Sequence, residues 1–351
     1  MLWFANCSEV SDGSIRVPDE PFDALSEYNF FEGNLTDLSP GEGVIPYDLN
    51  TPLFSDYSHK KRFVWLPEGT SATYNTDHVL DFPNGAVLIK NFYYLNDERN
   101  PDQGKRLMET RLLVNRGEEW SAYGYSWNEE QTDAIYDVVG DIKEVTWVNI
   151  DGEETTVDYI IPNKNQCKGC HAYDNKLLPI GPKARNLNKS FAYEDGELNQ
   201  LEKWESVGYL NGLVTKSGRP NVANWEDDTQ SLHERSMAYL DMNCGHCHNP
   251  KGAGQTSGLT LMADSPVGLK VGIFKPTVSA GAGTGGHTYS IVPGKPGESI
   301  MIYRMASTNP GAMMPELGRR LVHEEGVNLI ADWIKEMDPS EFDQPKDSSL
   351  N

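Results

Sequence analysis

Two short stretches of this chain, NQCKGCHAY and MNCGHCHNP, carry cysteine and histidine at the same spacing. In each stretch two residues separate the cysteines, and a histidine directly follows the second cysteine. The residues concerned are Cys167, Cys170, His171, Cys244, Cys247 and His248. Two thiols about one helical turn apart, followed by an imidazole, indicate a ligand that engages all three groups together.

Covalent attachment of haem c requires this arrangement. Two thiols add to the two vinyl groups of one porphyrin, and the next histidine reaches the iron as its proximal ligand. In a chain of this composition one such motif arises by chance on the order of once in a thousand sequences, and two are far rarer. We therefore predict two covalently bound haem c groups, attached through the four cysteines, with His171 and His248 as iron ligands.

Other chemistries of paired cysteines explain the pattern less well. A four-cysteine zinc site would have to bridge the 73 residues between Cys170 and Cys244, and zinc does not require a histidine after each pair. A thioredoxin-like dithiol would follow a strand in a βαβ unit and would need only one motif. A disulfide within C-x-x-C closes too short a loop to stabilise a protein much.

Each iron also needs a distal ligand, or else its distal side is open to small molecules. Met314 lies 66 residues after His248, in NPGAMMPELGRR, between two predicted helices. A methionine before a proline at this place is typical of the distal loop of a small cytochrome c. We predict Met314 as the ligand of the second iron, with the adjacent Met313 as the alternative.

The first iron has no evident distal partner. No methionine or histidine lies between His171 and His233, which leaves Lys183 or a more distant side chain. Arg185 is the nearest arginine that could assist peroxide cleavage, and it is equally suited to bind a haem propionate. A haem enzyme with a five-coordinate first iron therefore remains an alternative to an electron carrier.

The elements that position the motifs follow from the apolar pattern. Residues 20–162 are rich in β-branched and aromatic side chains, and Asp151-Gly152 marks a hairpin within 142–161, so we expect an antiparallel β-rich domain. Residues 163–229 form the first haem segment and a linker, with a helix predicted by the spacing of apolar residues between Leu198 and Leu210.

Residues 230–337 indicate a cytochrome c-like unit. Ser231 and Glu234 fit a capping box at the start of a helix that runs into Cys244. The stretches GESIMIYRMAS and EEGVNLIADWIKEM predict two further helices, and 338–351 predict a flexible tail. The predicted fold class is α+β, with an antiparallel β-rich N-terminal domain followed by mainly α-helical cytochrome c-like haem domains.

The charge balance limits the partners. With 30 Lys and Arg against 52 Asp and Glu, the formal net charge is −22, and such a surface repels nucleic acid and anionic lipid. The acidic surface either only keeps the chain soluble or also docks a basic redox partner protein. No apolar run reaches the length of a membrane span, so we expect no transmembrane segment.

The first residues, MLWFANCSEV, resemble the end of a bacterial lipoprotein signal, in which the cysteine becomes acylated. Residues 1–19 are therefore expected to form an N-terminal tail. Two interpretations of Cys7 stay open: a lipid anchor, or an ordinary free cysteine.

A wider set of segments resembles a family of bacterial diheme c-type cytochromes of unassigned role. The segments are PNKNQCKGCH, PIGPKARNLN, NQLEKW, YLDMNCGHCHNPKGAG, IVPGKPGESIMIYRM and GAMMPELGR. The resemblance implies a β-rich N-terminal region, two haem-binding segments, export, and electron transfer in the periplasm or on the outer face of a bacterium. The alternative function is a peroxidase-like haem enzyme, in which the second haem supplies electrons to the first.

Overall fold

The computed structural model describes residues 13–278 and 281–343. Cys7 and its predicted lipid anchor lie outside the described residues, as do residues 344–351 of the predicted tail. The described beginning of that tail forms a short 3-10 turn, Pro339–Glu341.

Six strands form the main sheet, and each pairs antiparallel with the next one along the chain. They are β1 (Ile45–Tyr47), β2 (His59–Trp65), β3 (Val87–Leu95), β4 (Lys105–Asn115), β5 (Trp120–Trp127) and β6 (Ala134–Tyr136). Because side chains alternate along a strand, the sheet has two distinct faces. One face buries Phe63, Ile89 and Leu112 against Leu25 and Phe30 from the N-terminal part of the chain.

The predicted hairpin within 142–161 is confirmed. It consists of β7 (Asp141–Val148) and β8 (Glu154–Ile161), which pair antiparallel along their whole length. Gly152 in the connecting turn has φ +87°, a conformation that residues with a Cβ rarely adopt. Trp147 and Tyr159 of the hairpin pack on Tyr94 of β3.

Six α-helices lie among the described residues, all after the hairpin. They are α1 (Lys164–His171), α2 (Ala184–Leu187), α3 (Gln200–Ser206), α4 (Leu232–Leu240), α5 (Ile300–Met305) and α6 (Glu324–Glu336). The capping box predicted at Ser231 is present, since its hydroxyl accepts the N–H of Glu234. Tyr239 of α4 and Trp333 of α6 are buried in one apolar cluster, so these two helices share a core.

The helix predicted between Leu198 and Leu210 is wrong at both ends. Only α3 is helical, because the Asn199 side chain accepts the N–H of Leu201 and starts the helix there. Gly208, at φ +79°, follows the end of α3. Leu198 and Leu210 instead belong to short strands outside the helix.

The remaining strands are short and lie outside the main sheet. They are Phe31–Glu32, Ser39–Pro40, Ala72–Thr73, Ala172–Tyr173, Lys176–Leu177, Ser190–Tyr193, Gly196–Asn199 and Leu210–Asn211. The second face of the main sheet packs on this part of the chain, with Val64 and Leu88 buried in one cluster with Leu187, Trp204 and Met242. The protein is therefore an α+β protein whose sheets are antiparallel apart from the parallel pair Ala72–Thr73 and Leu210–Asn211, and one face of the main sheet meets the segments that carry the two motifs.

Candidate functional site

The first C-x-x-C-H motif lies on helix α1. Asn163 caps the helix, since its side-chain oxygen accepts the backbone N–H groups of Asn165 and Gln166. Cys167 and Cys170 are three positions apart on this helix, so their side chains lie on the same face. Local capping therefore presents both thiols together, as attachment to a single porphyrin requires.

The ring of His171, at the end of α1, is held in one protonation state. Its Nδ1 is 2.8 Å from the carbonyl oxygen of Leu178. A carbonyl only accepts hydrogen bonds, so Nδ1 carries the proton and Nε2 keeps a lone pair. Burial lowers the pKa of His171 to about 4, so the ring is neutral at physiological pH. A neutral imidazole with its second nitrogen bound to a carbonyl is the form that ligates metals.

The second motif continues from helix α4. After Leu240 the backbone widens into one π-helical turn, Asp241–Gly245, and this turn contains Cys244. The backbone N–H groups of Cys247 and His248 both donate to the carbonyl of Cys244, which keeps the motif coiled. Burial raises the pKa of the Cys244 thiol to about 12, so this sulfur is a protonated thiol.

His248 is oriented by a serine that the sequence analysis missed. The Oγ of Ser257 donates to the carbonyl of Gly254 at 2.7 Å and lies 2.9 Å from Nδ1 of His248. Because the hydroxyl proton is already used, Ser257 accepts the Nδ1 proton and Nε2 of His248 keeps its lone pair. Burial lowers the pKa of His248 to about 4. Both motif histidines therefore have the same tautomer and the same neutral state.

The two motifs, separated by 73 residues in the sequence, are in contact. The Cys247 thiol donates to the carbonyl of Gly169 at 3.8 Å, within the first motif. A hydrogen bond with Cys247 lowers the pKa of the Cys170 thiol. Just beyond the motifs, the N–H of Asp174 donates to the carbonyl of Lys251 at 2.9 Å. Groups attached to the two motifs would therefore be neighbours.

A cavity of about 190 Å³ borders the first motif. Its lining includes all three motif residues and three cationic side chains of the sheet. These are Cys167, Cys170, His171, Arg62, Lys90 and Arg111. The sheet therefore supplies positive charge beside the first motif, in a chain that is strongly acidic as a whole.

A smaller cavity, of about 20 Å³, is lined by Cys244 and Met314. Met313 lines the larger cavity instead, together with His246 from within the second motif. Phe54 and Arg319 line both cavities and stand between them. Met314 thus lines one cavity with Cys244 of the second motif, whereas Met313 lines the larger cavity with the residues of the first motif.

Two arginines hold the loop that carries these methionines. Arg304 Nε donates to the carbonyl of Ala312 at 2.8 Å, and Arg319 Nη2 donates to the carbonyl of Met314 at 2.9 Å. The backbone N–H of Met314 donates in turn to the carbonyl of Arg304. The position of Arg319, a few residues after Met-Pro, was the available sequence signal for this role, and the sequence analysis did not use it.

Lys183 and Arg185, which the sequence analysis considered near the first iron, have another partner. Arg185 donates to the Asp241 carboxylate through Nη2 at 2.7 Å and Nε at 3.1 Å. Lys183 Nζ lies 3.6 Å from the same carboxylate. Neither side chain lines the cavity beside the first motif. They bind the first segment to the turn that leads into Cys244.

The four motif cysteines are free thiols, so neither pair forms a disulfide. Within 13–278 and 281–343, no group of three or more His, Cys, Asp or Glu side chains is arranged to hold a bare metal ion. The thiols therefore do not converge as a four-cysteine zinc site would require. The residues present do fit haem c, which needs two thiols and one free imidazole nitrogen at each motif.

Comparison with protein-family models, curated proteins and solved structures finds no match to this chain. In the part of the chain that the structure describes, no helix is both long enough and apolar enough to cross a bilayer.

Proposed function

We propose that this chain is a diheme c-type cytochrome that transfers electrons outside the cytoplasm of a bacterium. One observation carries the proposal: at both C-x-x-C-H motifs the histidine is neutral, with Nδ1 hydrogen-bonded and Nε2 free, beside two free thiols. A haem c bound there supplies reversible one-electron exchange between ferric and ferrous iron.

Each motif has a defined role in holding its cofactor. The thiols of each motif would hold one porphyrin through thioether bonds, and Nε2 of His171 and of His248 would ligate the irons. Met314, which lines a cavity with Cys244, would supply a thioether ligand to the second iron. A histidine and methionine pair is typical of an electron carrier of raised potential.

The contact between the motifs supports electron exchange within the chain. Cys247 reaches the backbone of Gly169, so the attachment points of the two cofactors touch. Cofactors held at such neighbouring motifs would be placed for electron exchange within the chain. The net charge of −22 favours a basic protein as the external redox partner and disfavours nucleic acid.

A second function, a peroxidase-like haem enzyme, is favoured by the cavity beside the first motif. Among the side chains that line it, Met242, His246 and Met313 could ligate iron. The sequence pattern singles out none of these for the first iron. In this alternative the cavity would admit a small oxidant beside the first motif, and a haem held there would supply the chemistry of its reduction, with electrons from the second haem.

The test is a count of covalent haem on protein that is exported and matured in a bacterial periplasm. The pyridine haemochrome spectrum and the intact mass should give two haem c per chain. Cys167→Ser combined with Cys170→Ser should leave only the haem of the second motif. Cys244→Ser combined with Cys247→Ser should leave only the haem of the first. Fewer than two in the unmodified chain would refute the proposal.

Ferric spectra separate the two functions. Two low-spin irons that do not bind cyanide support the electron carrier. High-spin iron that binds cyanide or peroxide, and that persists when the second motif is removed, supports the enzyme. Disappearance of that signal in His171→Ala, with no change in His248→Ala, would assign it to the first motif.

A further inference from the structure

Three cationic side chains stand in register across three neighbouring strands of the main sheet. Arg62 on β2 is directly opposite Lys90 on β3, and Lys90 is directly opposite Arg111 on β4. We name these three residues the cation row. Like charges directly opposite each other destabilise a sheet, so the cation row lowers the stability of the main sheet. Packing alone does not explain why these residues are there.

The internal partners of the cation row leave part of its charge unmatched. Arg111 donates through two nitrogens to Glu109, so its charge is paired. Arg62 Nη1 donates to Asp48 at 2.7 Å, but its Nη2 is buried and has no hydrogen-bond partner, and the side chain is only 4 % exposed. Lys90 forms no ion pair with any described residue, and its Nζ lies 4.7 Å from the centre of the Phe92 ring.

A fourth cation faces the same cavity from the methionine loop. Arg319 is almost fully buried. Its Nη1 and Nη2 both donate to backbone carbonyls, and its Nε has no hydrogen-bond partner. The cavity lining holds five Lys and Arg side chains against two carboxylates, those of Asp56 and Glu316. Asp56 already accepts the backbone N–H groups of residues 320 and 321, and Glu316 is exposed. The cavity therefore has an excess of unpaired donors.

We propose that the cation row and the cavity beside it form an anion-binding site, in which Lys90 Nζ and Arg62 Nη2 donate to the oxygens of a carboxylate or a similar small oxyanion. A buried donor with no partner, such as Arg62 Nη2, is costly, and a charged acceptor beside it removes that cost. The ligand lies beside Cys167 and His171, so its charge acts directly on whatever the first motif carries.

Carboxylate oxygens could come from two sources. One is a propionate of the haem on the first motif, and this source rests on the proposed function. The other is a small soluble anion, which enters the cavity whether or not haem is attached. The two sources predict different behaviour when a soluble carboxylate is added to the purified protein.

The test measures formate binding to the purified protein by titration calorimetry at constant ionic strength. If a soluble anion is the ligand, formate binds saturably, and Lys90→Met weakens binding about tenfold or more, as expected for loss of one charged hydrogen bond. Lys61→Met is the matched control, because Lys61 is next to Arg62 on β2, faces the other side of the sheet and binds the carbonyl of Leu38. Lys90→Arg keeps the charge and should retain binding.

If propionate is the ligand, the protein does not bind formate. The carboxylate bands in the infrared difference spectrum between ferric and ferrous protein should then shift in Lys90→Met and stay in place in Lys61→Met and Lys90→Arg. Circular dichroism verifies that each variant folds. Absence of both formate binding and the infrared shift would overturn the proposal. A haem count below two would refute the proposed function, while formate titration would still test this site.

Discussion

Replacing Asp241 by alanine tests whether a buried ion pair joins the two motif segments. The change leaves Arg185 without its carboxylate, and Lys183 loses the same partner. The Arg185 and Asp241 side chains are only 8 % and 2 % exposed, so the remaining charge is largely shielded from water. Breaking such a pair from one side costs about 3–5 kcal/mol, and we expect the free energy of unfolding to fall by about that amount.

Asp174→Ala is the matched control, because its pair with Lys251 joins the same two parts of the chain at the surface. The two side chains are 66 % and 54 % exposed and 3.4 Å apart, so the expected loss is below about 1 kcal/mol. Urea unfolding of the full chain, monitored by circular dichroism, measures both losses of unfolding free energy. Equal losses for Asp241→Ala and Asp174→Ala would show that burial does not decide the strength of these pairs.

Three further predictions concern the groups around the second motif. Ser257→Ala removes the acceptor of the His248 Nδ1 proton and makes the ring a weaker donor, so a redox titration should show a higher midpoint potential for one haem only, whereas Ser257→Thr should not. Burial lowers the pKa of His323 to about 4, whereas an unfolded histidine titrates near 6.5, so the unfolded chain binds the extra proton between these values. The contribution of neutral His323 to the free energy of unfolding is complete above about pH 6.5 and is lost as the pH falls toward about 4. The urea midpoints at about pH 7 and about pH 5 should therefore differ less in His323→Phe than in the unchanged chain. Met314→Ala should abolish the methionine-to-iron charge-transfer band and lower the potential of one proposed haem, and an unchanged spectrum would give that role to Met313 or another residue.

Elements with strong local signals could be predicted from the sequence. The hairpin around Gly152 and the capped start of α4 at Ser231 depend on residues a few positions apart, and both are present. The segment between Leu198 and Leu210 has apolar residues at helical spacing, yet only its middle is helical. There the capping side chain of Asn199 and the turn at Gly208 outweigh the periodicity.

The candidate site likewise has residues that could be predicted from the sequence and residues that could not. The C-x-x-C-H residues and the neighbourhood of Met314 could be proposed from spacing. Ser257 as the partner of His248 could not, because a serine nine residues away reaches the ring only through the path of the intervening loop. The pairing of Lys183 and Arg185 with Asp241 also depends on contacts that no local pattern encodes.

By itself, the sequence determined the chemistry available at the two motifs, because two thiols and an imidazole within five residues are positioned by local backbone geometry. It also determined the strong acidity that constrains the partners. Only the tertiary structure decided that the two motifs touch, that Met313 and Met314 border different cavities, and that Arg62, Lys90 and Arg111 align. Strand register and loop packing bring together residues far apart in the chain, and the free energy that selects them comes from the whole core.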